Sequence, residues 1–172
     1  GELGAEVKKA FLFACYTGLR ISDLRSLSWG DVQRDPLAIN IIQQKTKERV
    51  SIPLAPIAWK IIDDQRLHKA GEKMFPALSQ SRTNLNQYLV TWAKKAGLEK
   101  PLGFHVARRT FGTFALQYGG DLATVSRLLG HTSLKHTQRY LKTDSEQARR
   151  VIANLPAIDM EGATIIPMRK AL

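Results

Sequence analysis

The chain has 172 residues, and its 26 Lys and Arg side chains outnumber its 15 Asp and Glu side chains, which gives a formal net charge of +11 at pH 7. This length is typical of one domain that buries a sizeable core. A content of 44% hydrophobic and 24% charged residues excludes a low-complexity chain. The excess positive charge favours a polyanionic partner, either nucleic acid or an anionic membrane.

The distribution of apolar residues disfavours a membrane partner. No apolar run reaches the roughly 18 residues that a membrane-spanning helix needs, and no basic-then-apolar signal segment begins the chain. The single cysteine, Cys15, excludes an internal disulfide and favours a reducing compartment, and within its apolar helix it is predicted to be a core residue. We therefore expect a cytoplasmic protein. Because the chain begins with Gly1 and not Met, we also expect it to be part of a longer protein.

The first half of the chain predicts two helices followed by a small sheet. Apolar residues at helical spacing over 5–16 end at Thr17-Gly18, which indicates a helix stopped by a glycine cap. A second, short helix is predicted over 21–28. Between Asp31 and Leu54, β-branched residues partly alternate with polar ones. This pattern predicts a short strand at 31–33 and then a β-hairpin with its turn near 45–48.

The rest of the chain returns to helical spacing, interrupted by glycines and prolines. The predicted helical segments are 55–68, 83–96, 106–118, 121–129, 133–141 and 144–154. The predicted fold class is therefore mainly α with a small antiparallel β-sheet (α+β). Residues 155–172 contain two prolines and a short apolar patch without a clear period. We predict that they form a C-terminal tail to a domain over 1–154.

Four clusters of residues could carry chemistry. They are TGLRISDL at 17–24, QQKTKERVSIPL at 43–54, FHVARRTFGT at 104–113 and LLGHTSLKHTQRYL at 128–141. Each cluster alone has an ordinary interpretation: a surface arginine at a helix start, a solvated turn lysine, a His and Arg pair on one helix face, or a core tyrosine.

Together, the four clusters supply what a metal-free phosphodiester transesterification requires. Arginine guanidinium groups match the non-bridging oxygens of a phosphodiester bidentately. A tyrosine hydroxyl can act as a covalent nucleophile, and a lysine on a hairpin can protonate the departing oxygen. The combination therefore indicates phosphoryl transfer on a nucleic acid, and we expect neither a metal nor another cofactor.

The four motifs, in this order, resemble the catalytic domain of the tyrosine recombinase or phage-integrase family over about residues 5 to 150. The amino-acid sequence of 104–140 is most similar to those of integrases of mobile elements from the Bacteroides group. The resemblance implies the tyrosine recombinase catalytic-domain fold. It also implies that the N-terminal DNA-clamping domain of the family is absent from this chain.

The resemblance further implies which residues bind the scissile phosphate. In TGLRISDL, Arg20 is the implied phosphate ligand, and Asp23 has the position of an acid that steadies it. The H-x-x-R motif places a second phosphate-binding arginine at Arg108 and a histidine that assists proton transfer at His105. The Gly-His of LGH places a further phosphate ligand at His131.

The nucleophile and the general acid follow from the same resemblance. Tyr140, nine residues after His131, is the implied nucleophile. Lys45, the first lysine of KTKER, is the implied general acid for the 5′-hydroxyl, with Lys47 as the alternative. The implied product is a 3′-phosphotyrosyl bond, formed without ATP because one phosphodiester is exchanged for another.

The resemblance also implies the partners of the chain. The substrate is double-stranded DNA, and the family acts as a homotetramer on two DNA sites, while the isolated domain is expected to be a monomer. Accessory DNA-bending proteins and a bacterial, nucleoid-associated location are implied as well. The residues that we expect to contact DNA outside the reacting phosphate are Lys47, Arg49, Arg109, Lys135 and Arg139.

The spacing of the motifs adds two expectations that do not depend on the family. His105 and Arg108 lie on one helical face, whereas Arg109 points about 100° away from that face, which suits a DNA-backbone or structural contact. Gly130 can end one helix, so that His131 lies at the start of the next, where backbone N–H groups also favour an anion.

Three other functions fit parts of the sequence. Residues 121–141 also fit a non-catalytic helix-turn-helix module with Lys135, His136, Gln138 and Arg139 in the groove, but this leaves Arg20 and the H-x-x-R motif unexplained. A metal-dependent nuclease is disfavoured, because the four histidines never combine with acidic residues at a metal-binding spacing. A type IB topoisomerase-like enzyme would use the same chemistry as a monomer.

Overall fold

The computed structural model describes residues 1–118 and 120–130, together with residues 149, 152–155, 157–158 and 165–166. The predicted helix at 133–141 and most of the one at 144–154 lie outside the described residues, although residues 149, 152 and 153 are helical. The predicted site residues that lie outside the described part of the chain are His131, Lys135, Arg139 and Tyr140.

The described architecture is mostly helical with one small sheet, as predicted. The helices are α1 (Glu2–Thr17), α2 (Ile21–Ser26), α3 (Pro56–Ile62), α4 (Arg82–Lys95), α5 (Phe104–Gln117) and α6 (Leu122–Leu129). The strands are β1 (Val32–Arg34), β2 (Leu37–Ile42), β3 (Arg49–Pro53), β4 (Ala157–Ile158) and β5 (Ile165–Ile166). Short 3₁₀ helices lie at Trp29–Asp31 and Pro76–Ser79, and the sequence predicted neither of them.

The predicted hairpin is confirmed and forms a three-stranded antiparallel sheet in the order β1-β2-β3. Ile39 pairs with Ile52, and both are fully buried. Alternate residues of β3 are buried, because side chains point to opposite faces along a strand. The sheet thus packs one face on the core. The β2–β3 turn lies at the end of these two strands.

Helix α1 is the centre of the core. All residues from 10 to 17 are buried, and the helix packs against α3, α4 and α5. The ring of Phe11 makes edge-to-face contacts with Trp92 of α4 and Phe104 of α5, with centroids 5.6 and 6.2 Å apart. Cys15 is a core residue, as predicted, and burial raises the pKa of its thiol to about 12.

Two helices are shorter than the sequence predicted. Helix α3 ends at Ile62 and not at 68, because the side chains of Asp63 and Asp64 accept hydrogen bonds from the backbone N–H groups of Gln65 and Arg66. Such local bonds compete with the helical ones. Helix α2 ends at Ser26 and not at 28. No helix in the described ranges is long and apolar enough to span a membrane.

Candidate active site

An open cleft of about 760 Å³ lies between the start of α2, the β2–β3 turn, α4 and the start of α5. Phe11 of α1 contacts both α4 and α5, so these two walls of the cleft pack on the core. Leu85 and Val90 of α4 supply apolar lining. The predicted catalytic residues that line this cleft are Arg20, Lys45, His105 and Arg108.

The two arginines are anchored through their terminal nitrogens. The Nη1 atom of Arg20 donates to Oε1 of Gln43, and its Nη2 atom donates to the carbonyl oxygen of Gly130 at 3.4 Å. The Nη1 atom of Arg108 donates to the carbonyl oxygen of Gly18 at 2.6 Å, and its Nη2 atom donates to that of Leu129. Because a guanidinium carries five N–H groups, each arginine keeps three of them beyond these anchoring bonds.

The anchoring carbonyl groups lie at the C-terminal ends of two helices. Gly18 follows α1, and Leu129 and Gly130 end α6. Carbonyl groups at a helix C-terminus have no partner within the helix, and the helix dipole gives them additional negative charge. Two helix ends therefore supply acceptors for the two guanidinium groups. No local sequence pattern had indicated this arrangement.

Both helix ends depend on glycine. Gly18 and Gly130 adopt the left-handed conformation, with φ of 68° and 61°, so the predicted glycine caps are confirmed. A Cβ atom on Gly18 would lie 2.5 Å from Cδ1 of Phe111, and one on Gly130 would lie 2.3 Å from Oε1 of Gln43. Gly130 thus allows both the turn of the chain and the close approach of Gln43.

The site has a strong positive charge. Within the described part of the chain, neither Arg20 nor Arg108 forms an ion pair with a carboxylate. Burial, and then the charge of Arg20, lower the pKa of Arg108 to about 10, and the charge of Asp23 opposes this shift. Arg108 is therefore protonated at neutral pH, and a bound anion would offset the repulsion between the two cations.

Asp23 lies behind the cleft and connects two of its walls. Its side chain is buried, and its Oδ2 atom accepts a hydrogen bond from the backbone N–H of Arg20 at 3.3 Å. Its Oδ1 atom accepts one from the backbone N–H of Gln44 at 2.8 Å. Asp23 thus joins the start of α2 to the chain that leads into Lys45, and it contacts the backbone of Arg20.

The two lysines of the β2–β3 turn differ in position. Both are exposed, but only Lys45 lines the cleft, whereas Lys47 has a φ of 58° and donates its backbone N–H to the carbonyl oxygen of Gln43 at 2.9 Å. His105, in the first turn of α5, is exposed and lines the cleft together with Arg108. The i, i+3 spacing therefore brings these two side chains to one face, as predicted.

Besides Lys47, two more of the expected DNA contacts do not line the cleft. Arg109 is exposed on α5 and does not line the cleft. Arg49 lines a separate cavity of about 380 Å³ between the sheet and α6, together with Arg127 and Arg149. Across the described ranges, no three His, Cys, Asp or Glu side chains cluster in a way that could hold a metal ion.

Comparison with known proteins assigns the chain to a family. The model of the phage integrase family matches residues 2–147. The chain belongs to the phage integrase family. Tyrosine recombinase XerC of Actinobacillus pleuropneumoniae serotype 7 is 29% identical over 149 residues, which are 78% of this chain and 46% of XerC. The chain therefore spans about half the length of this relative.

Two solved structures superpose on this chain. The integrase from mycobacterium phage Brujita superposes with a TM-score of 0.65 at 23% identity, covering 88% of this chain and 52% of that one. The XerH site-specific recombinase bound to difH substrate, in a pre-cleavage complex, has a TM-score of 0.57 at 21% identity, covering 84% and 44%. The predicted tyrosine recombinase catalytic-domain fold is thereby confirmed.

One buried residue beside the two arginines, Gln43, was not predicted from the sequence to belong to the site. Gln43 is fully buried and contacts Arg20, Thr46 and Leu129. The one signal in the sequence is a glutamine directly after the apolar strand Leu37–Ile42, and this signal does not distinguish a buried residue from an exposed turn residue.

Proposed function

We propose that this chain is the catalytic domain of a site-specific DNA recombinase or integrase that cleaves and rejoins DNA through a 3′-phosphotyrosyl intermediate. The observation that carries the proposal is the pair of guanidinium groups of Arg20 and Arg108. They are anchored by neutral oxygen atoms, lie in a cleft with Lys45 and His105, and form no ion pair with a described carboxylate. Such a site is suited to a phosphodiester.

Double-stranded DNA is the proposed partner. The net charge of +11 favours a polyanion, the phage integrase family supports recombination, and the solved structure of XerH is described as bound to its difH substrate. Arg49, Lys47, Arg109, Lys135 and Arg139 are proposed to hold the flanking backbone, which makes binding dependent on salt.

The proposed reaction is an exchange of phosphodiester bonds. The phenol oxygen of Tyr140 forms a bond to phosphorus while the bond from phosphorus to the 5′-oxygen breaks. The phenol passes one proton to the solvent with assistance from His105, and Lys45 donates one proton to the leaving 5′-oxygen and regains one from the solvent, so the protons balance. Arg20, Arg108 and His131 stabilise the charge of the non-bridging oxygens. The step requires neither a metal nor ATP.

The positions of the other tyrosines support Tyr140 as the nucleophile. The chain has four tyrosines. Tyr16 is fully buried in α1 and Tyr88 lies on α4, and neither these two nor Tyr118 lines the cleft. Tyr140 is the remaining tyrosine. It lies ten positions after Gly130 in the sequence, and the carbonyl oxygen of Gly130 accepts a hydrogen bond from Arg20.

The wider features of the protein are proposed on the same family basis. We infer a homotetramer on two DNA sites during recombination, a monomer for the isolated domain, and accessory DNA-bending proteins as further partners. The proposed domain comprises 1–154, followed by a tail at 155–172. A bacterial cytoplasmic, nucleoid-associated location and kinship with integrases of the Bacteroides group complete the proposal.

A suicide substrate tests this function. Nicked duplexes with randomised sequence release a short strand on cleavage, so the covalent adduct accumulates and its DNA can be sequenced. The wild-type chain is expected to form a 3′-phosphotyrosyl adduct also in EDTA, while the Tyr140→Phe variant binds the same DNA without an adduct. An adduct in the Tyr140→Phe variant, or its loss in EDTA, contradicts the proposal. Bridging of two DNA sites in a gel assay separates a recombinase from a topoisomerase-like enzyme.

A further inference from the structure

Gln43 occupies a central position between the elements that carry the proposed catalytic residues. It follows β2 directly, and its exposed fraction is 0%. Its backbone N–H donates to the carbonyl oxygen of Glu48 at 2.9 Å, and its carbonyl oxygen accepts from the N–H of Lys47 at 2.9 Å. These two bonds close the turn that carries Lys45, so the backbone of Gln43 is fixed relative to that turn.

The side-chain amide of Gln43 connects three parts of the site. Its Oε1 atom accepts hydrogen bonds from Nη1 of Arg20 and from Oγ1 of Thr46, the latter at 2.9 Å. Its Nε2 atom donates to the carbonyl oxygen of Leu129 at 3.2 Å. The amide thus links the start of α2, the turn with Lys45 and the end of α6.

We propose that Gln43 is a positioning residue, which fixes the guanidinium of Arg20 and holds it in register with the Lys45 turn. This inference rests on the proposed function and deepens it. Because Gln43 is buried, it acts through Arg20 and does not itself contact the DNA.

The chemistry of an amide suits this role better than that of a carboxylate. An amide oxygen accepts from Arg20 without adding a negative charge, so the full positive charge of the guanidinium remains available to a phosphate. A glutamate of the same shape would neutralise Arg20 by an ion pair, and it could not donate to the carbonyl oxygen of Leu129. The amide accepts a hydrogen bond from the cation on one side and donates one to the helix C-terminus on the other. The site requires both.

Two variants of nearly unchanged volume test the role. Gln43→Met fills the same space without hydrogen bonds, and Gln43→Glu keeps the acceptor and adds a charge. We expect single-turnover cleavage of the suicide substrate to fall about 10- to 100-fold in Gln43→Met, because small displacements of a catalytic group have costs of this size. We expect a larger loss in Gln43→Glu, because its carboxylate neutralises Arg20 and cannot donate to the carbonyl oxygen of Leu129. DNA affinity is expected to change by less than about threefold, since Gln43 is buried.

A matched control and a double-mutant cycle separate positioning from general stability. Gln44→Ala alters the neighbouring, exposed side chain, which contacts only Ser26 in the described hydrogen bonds, and it should leave the rate unchanged. In the Arg20→Lys background, which keeps a positive charge but no guanidinium, Gln43→Met should change the rate by less than about threefold. A group that acts only through Arg20 has no further effect once the guanidinium is gone.

The outcomes are distinct. An unchanged rate in Gln43→Met, or an equal loss in both backgrounds, overturns the positioning role while the proposed function stands. Cleavage by Gln43→Glu at the wild-type rate also overturns it, because the uncharged amide would then have no influence on Arg20. If the wild-type chain forms no adduct with DNA that it binds, the proposed function fails, and the positioning role fails with it.

Discussion

Gln43 and Arg108 donate hydrogen bonds to the same atom, the carbonyl oxygen of Leu129 at the end of α6. The carbonyl group has two lone pairs and can accept both. Since Gln43 also contacts Arg20, the two arginines of the site are connected through one helix end and one amide. The geometry of the proposed phosphate site therefore depends on α6 as much as on the arginines themselves.

Replacing Arg108 with lysine should disable the site although the charge is kept. An ammonium group has three N–H donors on one atom, so if it bound the carbonyl oxygens of Gly18 and Leu129 it would keep at most one for a phosphate, whereas the planar guanidinium keeps three. We expect Arg108→Lys to lower single-turnover cleavage by about 10²- to 10³-fold, the usual cost of one lost donor to a developing charge. Arg25→Lys, at an exposed arginine of α2 that donates to Gln80, is the control. A rate within threefold of the wild type would show that Arg108 has no such role.

Gly130→Ala should destabilise the fold and slow cleavage at the same time. The left-handed conformation costs a residue other than glycine about 1–2 kcal/mol, and a Cβ atom here would also lie 2.3 Å from Gln43. Gly97 has a similar φ of 71°, but a Cβ there would have no neighbour within 4 Å. Gly97→Ala therefore measures the backbone cost alone. Chemical denaturation should show a larger loss for Gly130→Ala, and equal losses would contradict the close approach.

Lys45 and Lys47 can be distinguished by the leaving group. Because Lys45 is the proposed general acid, the Lys45→Ala variant should cleave about 10²- to 10⁴-fold more slowly than the wild type. A substrate whose leaving 5′-oxygen is replaced with sulfur needs no acid, and it should restore the rate of Lys45→Ala. Cleavage assays with both substrates check this, with Lys47→Ala as the parallel variant. Rescue of Lys47→Ala but not of Lys45→Ala would transfer the role to Lys47.

His68 should make stability dependent on pH at a place remote from the cleft. Its ring stacks on Trp29 with centroids 3.9 Å apart, and its two nitrogens contact Asp64 at 2.8 Å and Glu72 at 3.0 Å. The hydrogen bond to Asp64 is the main cause that raises the pKa of His68. The stabilising contribution of the charged ring is thus complete below about pH 6.5, the pKa of an unfolded histidine, and is lost as the pH rises through the higher folded value.

Unfolding experiments between pH 6 and pH 9 check this expectation. The free energy of unfolding of the wild type should fall with rising pH, and His68→Gln should remove that part of the dependence. An identical pH profile for the two proteins would mean that the His68 ring gains nothing from its two carboxylates.

Much of the fold could be predicted because its signals are local. The glycine caps at Gly18 and Gly130, the hairpin and the central helix follow from periodicity and turn residues within a few positions of the chain. Helix α3 shows where such reasoning failed. Its apolar pattern continued past Ile62, but the two aspartates that follow bind the backbone themselves and end the helix.

The sequence alone determined the family, the order of the motifs and the residue types that the chemistry needs. Only the tertiary structure decided how these residues are held. Arg20 meets the carbonyl oxygen of Gly130 across 110 positions, Arg108 meets that of Gly18 across 90, and Gln43 meets that of Leu129 across 86. Contacts over such separations leave no periodicity in the sequence, because they arise from the packing of α1, α5 and α6 around one core. The same packing brings Lys45, and not Lys47, to the cleft. The sequence could not distinguish the two lysines, because they lie two positions apart in one turn.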